Sequence, residues 1–159
     1  MSPWEALFLG VVQGATEFLP VSSSGHLVIS QRLLGIEIPG VVFEVVVHLA
    51  TLVSILLVYR RRVLDLVRGT FTGDAGSMRY MGLLVLATLP AAAVGLFFKD
   101  PVEALFESPV VPGVALLVTG GFLWTARWAL DRTERPVPSP ASALLIGMAQ
   151  ACALVPGIS

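Results

Sequence analysis

Three apolar segments, Gly40 to Tyr59, Tyr80 to Phe98 and Val110 to Leu130, are each bounded by charge or proline. Each reaches the roughly 20 residues that a helix needs to cross about 30 Å of hydrocarbon at about 1.5 Å per residue. An all-α integral membrane protein is the fold class predicted. A fourth apolar run, Ala141 to Val155, is shorter. Composition agrees, because only 13% of the 159 residues are charged and 55% are apolar, whereas soluble domains carry roughly 25% charge. A net charge of −1 offers no basic surface for nucleic acid. The single cysteine, Cys152, has no internal disulfide partner. The first basic residue is Arg32, so the N-terminal apolar stretch lacks the cationic start of a secretory signal and is expected to belong to the fold.

The charges fall on alternate loops. Arg60, Arg61, Arg62, Arg68 and Arg79 follow the first span, and Arg127, Arg132 and Arg135 follow the third. Between the second and third spans lie Lys99, Asp100, Glu103 and Glu107. Short cytoplasmic loops collect Lys and Arg, so the acidic loop and Glu37 to Pro39 are expected on the outer side.

The segment Trp4 to Gly35 reads differently. Pro20 pushes Leu19 out of helical geometry, and Ser22, Ser23 and Ser24 follow as cap residues, which predicts two short helices joined by a polar turn. Arms of about 15 residues, roughly 22 Å, are too short to span, so a re-entrant hairpin over 4–35 is expected. Its non-helical tip would need protein or water around it. A pair of tilted spans is the competing layout.

A faint internal echo accompanies this break. Gly10-Val-Val-Gln13 with Leu19-Pro20-Val-Ser-Ser23 is matched by Gly147-Met-Ala-Gln150 with Val155-Pro156-Gly-Ile-Ser159. Paired, proline-interrupted apolar segments are how inverted-repeat membrane proteins build a midplane site. The echo divides the chain into a first repeat, 1–140, and the start of a second, 141–159.

Gln13, Glu17, Ser22, Ser23, Ser24 and His26 place an amide, a carboxylate, three hydroxyls and an imidazole within one otherwise greasy segment. An ionisable group at membrane depth costs at least about 2.5 kcal/mol, so Glu17 and His26 are functional candidates. A serine turn feeding a helix N-terminus suits phosphate oxygens. His26, three residues beyond Ser23, is a candidate base for that hydroxyl, and Glu17 a candidate to orient the imidazole, take a proton or share a divalent cation with a diphosphate. Glu44 and His48 form a second polar pair at i, i+4 spacing, read either as lining the same cavity or, with slight preference, as an inter-helical hydrogen bond.

Gln13 to His26 resembles the first signature of the undecaprenyl-diphosphate phosphatase family of the bacitracin-resistance type: Glu or Gln, three residues, Glu, then Phe-Leu-Pro-Val-Ser-Ser, Ser or Thr, and Gly-His. Phe43 to Ala50 and Leu89 to Leu96 resemble the helices that follow it, and Gln150 to Ser159 resembles the opening of the second signature, Pro-Gly-x-Ser-Arg-Ser-Gly. The resemblance implies interdigitated inverted repeats in the bacterial inner membrane and hydrolysis of undecaprenyl diphosphate to the monophosphate on the extracytoplasmic side. That reaction recycles the lipid carrier of cell-wall synthesis and underlies bacitracin resistance. It implies Glu17 as the essential carboxylate, Ser23 as nucleophile, His26 as base or alternative nucleophile, and Mg²⁺ or Ca²⁺ as cofactor. Gln13, Ser22, Ser24, Gln150 and Ser159 are the substrate-binding candidates, and Glu17, with Gln13, the candidate metal site. Because the second signature breaks off at Ser159, before its Arg, the chain is expected to be an N-terminal fragment with little or no activity of its own. The partners expected are the polyprenyl diphosphate, the bilayer, and a second copy or the missing C-terminal half. A non-catalytic half-transporter that binds lipid or ions is the rival reading.

Overall fold

The computed structural model describes residues 1–36, 41–126, 128 and 137–159, and within them every regular element is helical. The expected loop residues Glu37 to Pro39, the arginines at 127, 132 and 135, and the bounds Gly40 and Leu130 lie outside the described residues.

Helix α1 (Pro3–Glu17) starts on a reciprocal cap: Glu5 N–H donates to Ser2 Oγ at 3.3 Å and Ser2 N–H to Glu5 Oε2 at 2.6 Å, with proline at the first helical position. It stops short of Pro20. Helix α2 (Ser23–Leu33) begins on Ser22, whose φ of 58° is unusual for a residue with a Cβ. The polar turn and two short arms thus form as expected. Leu9 of α1, Leu27 of α2 and Ile36 make a buried core, against which Val12, Phe43 and Val47 pack.

Helix α3 (Val42–Val58) covers most of the first predicted span. The stretch expected as an arginine loop is instead a helix, α4 (Arg60–Phe71), bent 78° from α3. Its apolar residues recur every three or four positions, a helical period that a count of charges does not register. Helix α5 (Ala75–Phe97) starts five residues before the predicted Tyr80, because Asp74 caps it by accepting Ser77 N–H at 2.7 Å. That backbone bond, with the Ser77 hydroxyl, holds the Asp74 carboxyl below its ordinary value.

The expected acidic loop is helix α6 (Lys99–Glu107), with Lys99 and Glu103 paired at 3.7 Å one turn apart. Helix α7 (Val110–Ala126) follows after a 95° bend. Helix α8 (Pro140–Cys152) opens on Ser139 and Pro140 much as α1 opens on Ser2 and Pro3.

Among the described residues α5, with 23 residues, is the one unbroken helix long and apolar enough to cross a membrane; the pairs α3–α4 and α6–α7 qualify only as bent units. Just 6% of the apolar stretch of α5 is buried inside the chain. Leu49, Leu52, Val53 and Leu57 of α3 and Val114, Leu117 and Phe122 of α7 are likewise exposed, an arrangement suited to lipid and unsuited to water. Helix α8 lies against α5 where Gly147 meets the Ala87 carbonyl and the Pro90 ring, with no room for a Cβ. Close backbone approach through a small residue is how apolar helices associate without a hydrophobic drive.

Candidate active site

The proline break delivers the polar residues to one place. Glu17, on the last turn of α1, points its Oε2 at the start of α2, where it accepts from Ser23 Oγ at 2.8 Å and from Gln13 Nε2 at 2.8 Å. Gln13 and Glu17 are one turn apart, as their spacing predicts, and Gln13 is 1% exposed.

The imidazole beside Ser23 comes from α3. His48 Nε2 lies 3.4 Å from Ser23 Oγ and 3.9 Å from Glu17 Oε2. Its other nitrogen donates to the Glu44 carbonyl at 2.7 Å. A carbonyl only accepts, so Nδ1 carries the proton and, in the neutral ring, Nε2 presents a lone pair to the serine.

His26 is placed otherwise. Its Nδ1 donates to the Ser22 carbonyl at 2.9 Å, the i−4 position on its own helix, and not to the Ser23 hydroxyl. Spacing along α2 suggested His26 because three residues make neighbours on a helix; Ser23 is the first residue of that helix and turns toward α1 and α3. His48 was legible as half of the Glu44–His48 pair; its contact with Ser23 is an inter-helical one, and the pair lines a cavity as well. That cavity, of about 590 Å³, also takes in Ser24, is walled by Val45, Leu49, Leu52 and Phe106, and reaches Lys99 and Glu103 at its other end.

Ser22 serves the turn itself. Its hydroxyl caps α2 by accepting Gly25 N–H at 3.4 Å, shares a bond with Ser24 Oγ at 3.2 Å, and accepts Gly157 N–H at 3.0 Å. The two proline turns matched in the sequence are therefore in contact. Gln150 lies exposed on α8, away from these bonds. Ser159 N–H donates to Thr119 Oγ1 at 3.1 Å, and that hydroxyl donates to the Gly157 carbonyl at 2.7 Å. Thr119, 3% exposed, was missed in the sequence; the signal is a hydroxyl within a predicted span, where α7 carries Thr119 and Thr125.

The family described as Bacitracin resistance protein BacA matches residues 6–159. The chain belongs to this family. Among BacA-like relatives it is 43% identical to the undecaprenyl-diphosphatase of Desulforudis audaxviator, over 100% of the chain and 62% of that protein. It is 42% identical to undecaprenyl-diphosphatase 2 of Bacillus thuringiensis over 96% of the chain and 59% of the relative, and 43% identical to the undecaprenyl-diphosphatase of Bacteroides fragilis over 100% and 60%. The chain thus spans about six-tenths of the length of the curated relatives it matches. With its apolar helices, membership of the BacA family makes it an integral membrane protein.

The cation that the BacA resemblance implies can be tested against the donors present. Gln13 Oε1 is buried with no hydrogen-bond partner, while the other end of that amide, Nε2, donates to the Glu17 carboxylate. These are hard oxygen donors of the type Mg²⁺ and Ca²⁺ prefer, and Mg²⁺ commonly takes only one or two protein ligands plus substrate phosphate oxygens and water. Among the described residues no three His, Cys, Asp or Glu side chains gather into a metal cage. By donor type the two side chains suit a cation shared with a diphosphate.

Proposed function

We propose that this chain carries the hydrolytic centre of an undecaprenyl-diphosphatase, which cleaves undecaprenyl diphosphate to the monophosphate and inorganic phosphate. One observation carries the reading: Ser23 Oγ sits 2.8 Å from Glu17 Oε2 and 3.4 Å from His48 Nε2, in a chain whose relatives bear that name.

In this reading Ser23 Oγ attacks the terminal phosphorus. The hydroxyl proton leaves toward Glu17 or the His48 lone pair, the Oγ–P bond forms, and the bond from that phosphorus to the bridging oxygen breaks. The polyprenyl monophosphate departs with the bridging electrons. Water then attacks the phosphoserine, releasing phosphate and restoring the hydroxyl. Ser23 has one hydroxyl proton and donates it to Glu17 Oε2 at 2.8 Å, which places Glu17 to take it, while His48 Nε2, 3.4 Å from the hydroxyl and 3.9 Å from that carboxylate oxygen, is placed to receive it in turn. The N-terminus of α2 turns its positive dipole end toward the serines, favourable for phosphate oxygens.

A divalent cation held by Glu17, with Gln13 as a second oxygen donor if its amide turned, would neutralise charge on the diphosphate. The apolar cavity beside Ser24 and His48 offers room for the first part of a prenyl chain.

The location follows from the same features. Helix α1, 15 residues and about 22 Å long, is too short to span, which supports a re-entrant hairpin. The arginines of α4 support a cytoplasmic position for that helix and an extracytoplasmic one for the site, in the inner membrane. The Ser-Pro start and proline turn shared by α1 and α8 support residues 141–159 as the opening of a second repeat.

The test is phosphate release from undecaprenyl diphosphate by the chain completed with the C-terminal remainder of the Desulforudis audaxviator relative. Release that depends on Ser23 supports the reading. Binding of the lipid with no release would point instead to a transporter-like binding protein.

A further inference from the structure

Helix α4 has a side that the hydrolytic reading leaves unused. At about 100° per residue, Val63, Leu64, Val67 and Phe71 share one face. The face toward α5 is another: Gly69 sits against Ser77 with no room for a Cβ, and Arg62, Asp65 and Leu66 line a small cavity with Asp74 and Tyr80. The apolar face is left largely outward, with Leu64 49% and Phe71 88% exposed and Val63 and Val67 half-buried.

Two arginines edge that face. Arg61 and Arg68 are exposed and seven residues apart, so they stand on the same side about 10 Å from one another along the axis. Arg60 is engaged otherwise, donating from Nη1 to the Leu57 carbonyl at the end of α3 at 2.8 Å. The 78° bend sets α4 nearly perpendicular to α3. If α3 crosses the bilayer, α4 lies along its surface, at the depth where acyl chains meet headgroups.

We infer that α4 is an interfacial helix that seats Leu64, Val67 and Phe71 among acyl chains and holds anionic phospholipid headgroups on Arg61 and Arg68. An apolar stripe edged by cations, lying in the membrane plane, is the arrangement by which a helix binds such a surface. Neither residue type alone would do so: the stripe supplies depth, and the guanidinium charges favour a headgroup of net negative charge over a zwitterion whose phosphate is already offset by its own cation. The occupant is argued from charge complementarity and from continuity with the span. A soluble acidic partner would leave Phe71 in water.

The experiment reconstitutes the chain in vesicles of phosphatidylcholine alone or mixed with phosphatidylglycerol. Lipid preference is read with spin-labelled analogues of each lipid, and depth from the oxygen accessibility of a nitroxide at Leu64→Cys or Asp65→Cys. The expected result is a preference for phosphatidylglycerol that falls about fivefold for each of Arg61→Gln and Arg68→Gln, with helicity unchanged. The label at position 64 is expected deep and that at 65 shallow. Equal affinity for the two lipids, or a preference that the double variant retains, overturns the proposal. A label at 64 as water-exposed as one at 65 also overturns it, as does quenching of that label only by a second copy of the chain.

Discussion

The Ser22 hydroxyl accepts the Gly157 N–H at 3.0 Å, joining two residues 135 positions apart. Each lies just after a proline break, one in the Gln13 to His26 stretch and one in its echo at the end of α8. Their meeting gives the echo a physical meaning: two interrupted helices place their turns against each other, and Thr119 of α7 holds the second turn through the Gly157 carbonyl.

The junction is tight enough to be tested by a methyl group. At Gly157, whose φ is +102°, a Cβ would come within 2.6 Å of Ala115 Cβ, and one at Gly25 would come within 2.7 Å of the Gly157 Cα. Gly157→Ala combines overpacking with a strained backbone and is expected to destabilise the chain by about 2 to 4 kcal/mol. Ser22→Ala leaves a buried N–H unpaired and is expected to cost about 1 to 3 kcal/mol. Thermal unfolding midpoints in detergent measure both; an unchanged midpoint for Gly157→Ala would contradict the packing described.

At the contact of α5 and α8, Gly147 carries the close approach to the Ala87 carbonyl. Gly147→Leu is expected to force the helices apart and raise protease cleavage of α8, while Gly113→Ala, where a Cβ meets nothing, is expected to be silent. Limited proteolysis with mass analysis distinguishes the two.

Asp74 should give the start of α5 a dependence on pH. Its carboxyl is held below the ordinary carboxylate value by the Ser77 N–H and hydroxyl. A depressed folded-state value stabilises the folded chain above the unfolded carboxylate's range and loses that contribution as pH falls through the folded value. Asp74→Asn, which still accepts the cap bond without titrating, is expected to flatten the acid limb of stability. Unfolding midpoints measured from neutral to acid pH check this, and identical limbs for the two chains would refute it.

The sequence made some of this legible and hid the rest for physical reasons. Pro20 and the serines announced the hairpin because proline geometry and capping act within a few residues. Gln13 and Glu17 were legible as a pair because helix spacing fixes their face. His48 reaches Ser23 across 25 residues, a contact that tertiary packing sets and that local spacing instead assigned to His26. Helices α4 and α6 were read as loops because their charges were weighed for topology, although apolar residues recur in both at helical intervals.

The two histidines separate the local from the tertiary reading in activity as well. In the chain extended with the Desulforudis audaxviator remainder, the proposed hydrolysis predicts that His48→Ala lowers the rate of phosphate release by about 10²- to 10⁴-fold, with substrate affinity less affected, whereas His26→Ala costs less than about tenfold. Turnover and KM for undecaprenyl diphosphate measure the split; the opposite ranking would return the base to α2.

The most direct test of the hydrolytic centre is phosphate release by Ser23→Ala and Glu17→Gln in the chain completed with the Desulforudis audaxviator remainder. Each substitution is expected to reduce turnover by at least about 10³-fold while the protein remains folded and still binds the lipid. Turnover by Ser23→Ala at the rate of the unaltered protein would contradict the assignment.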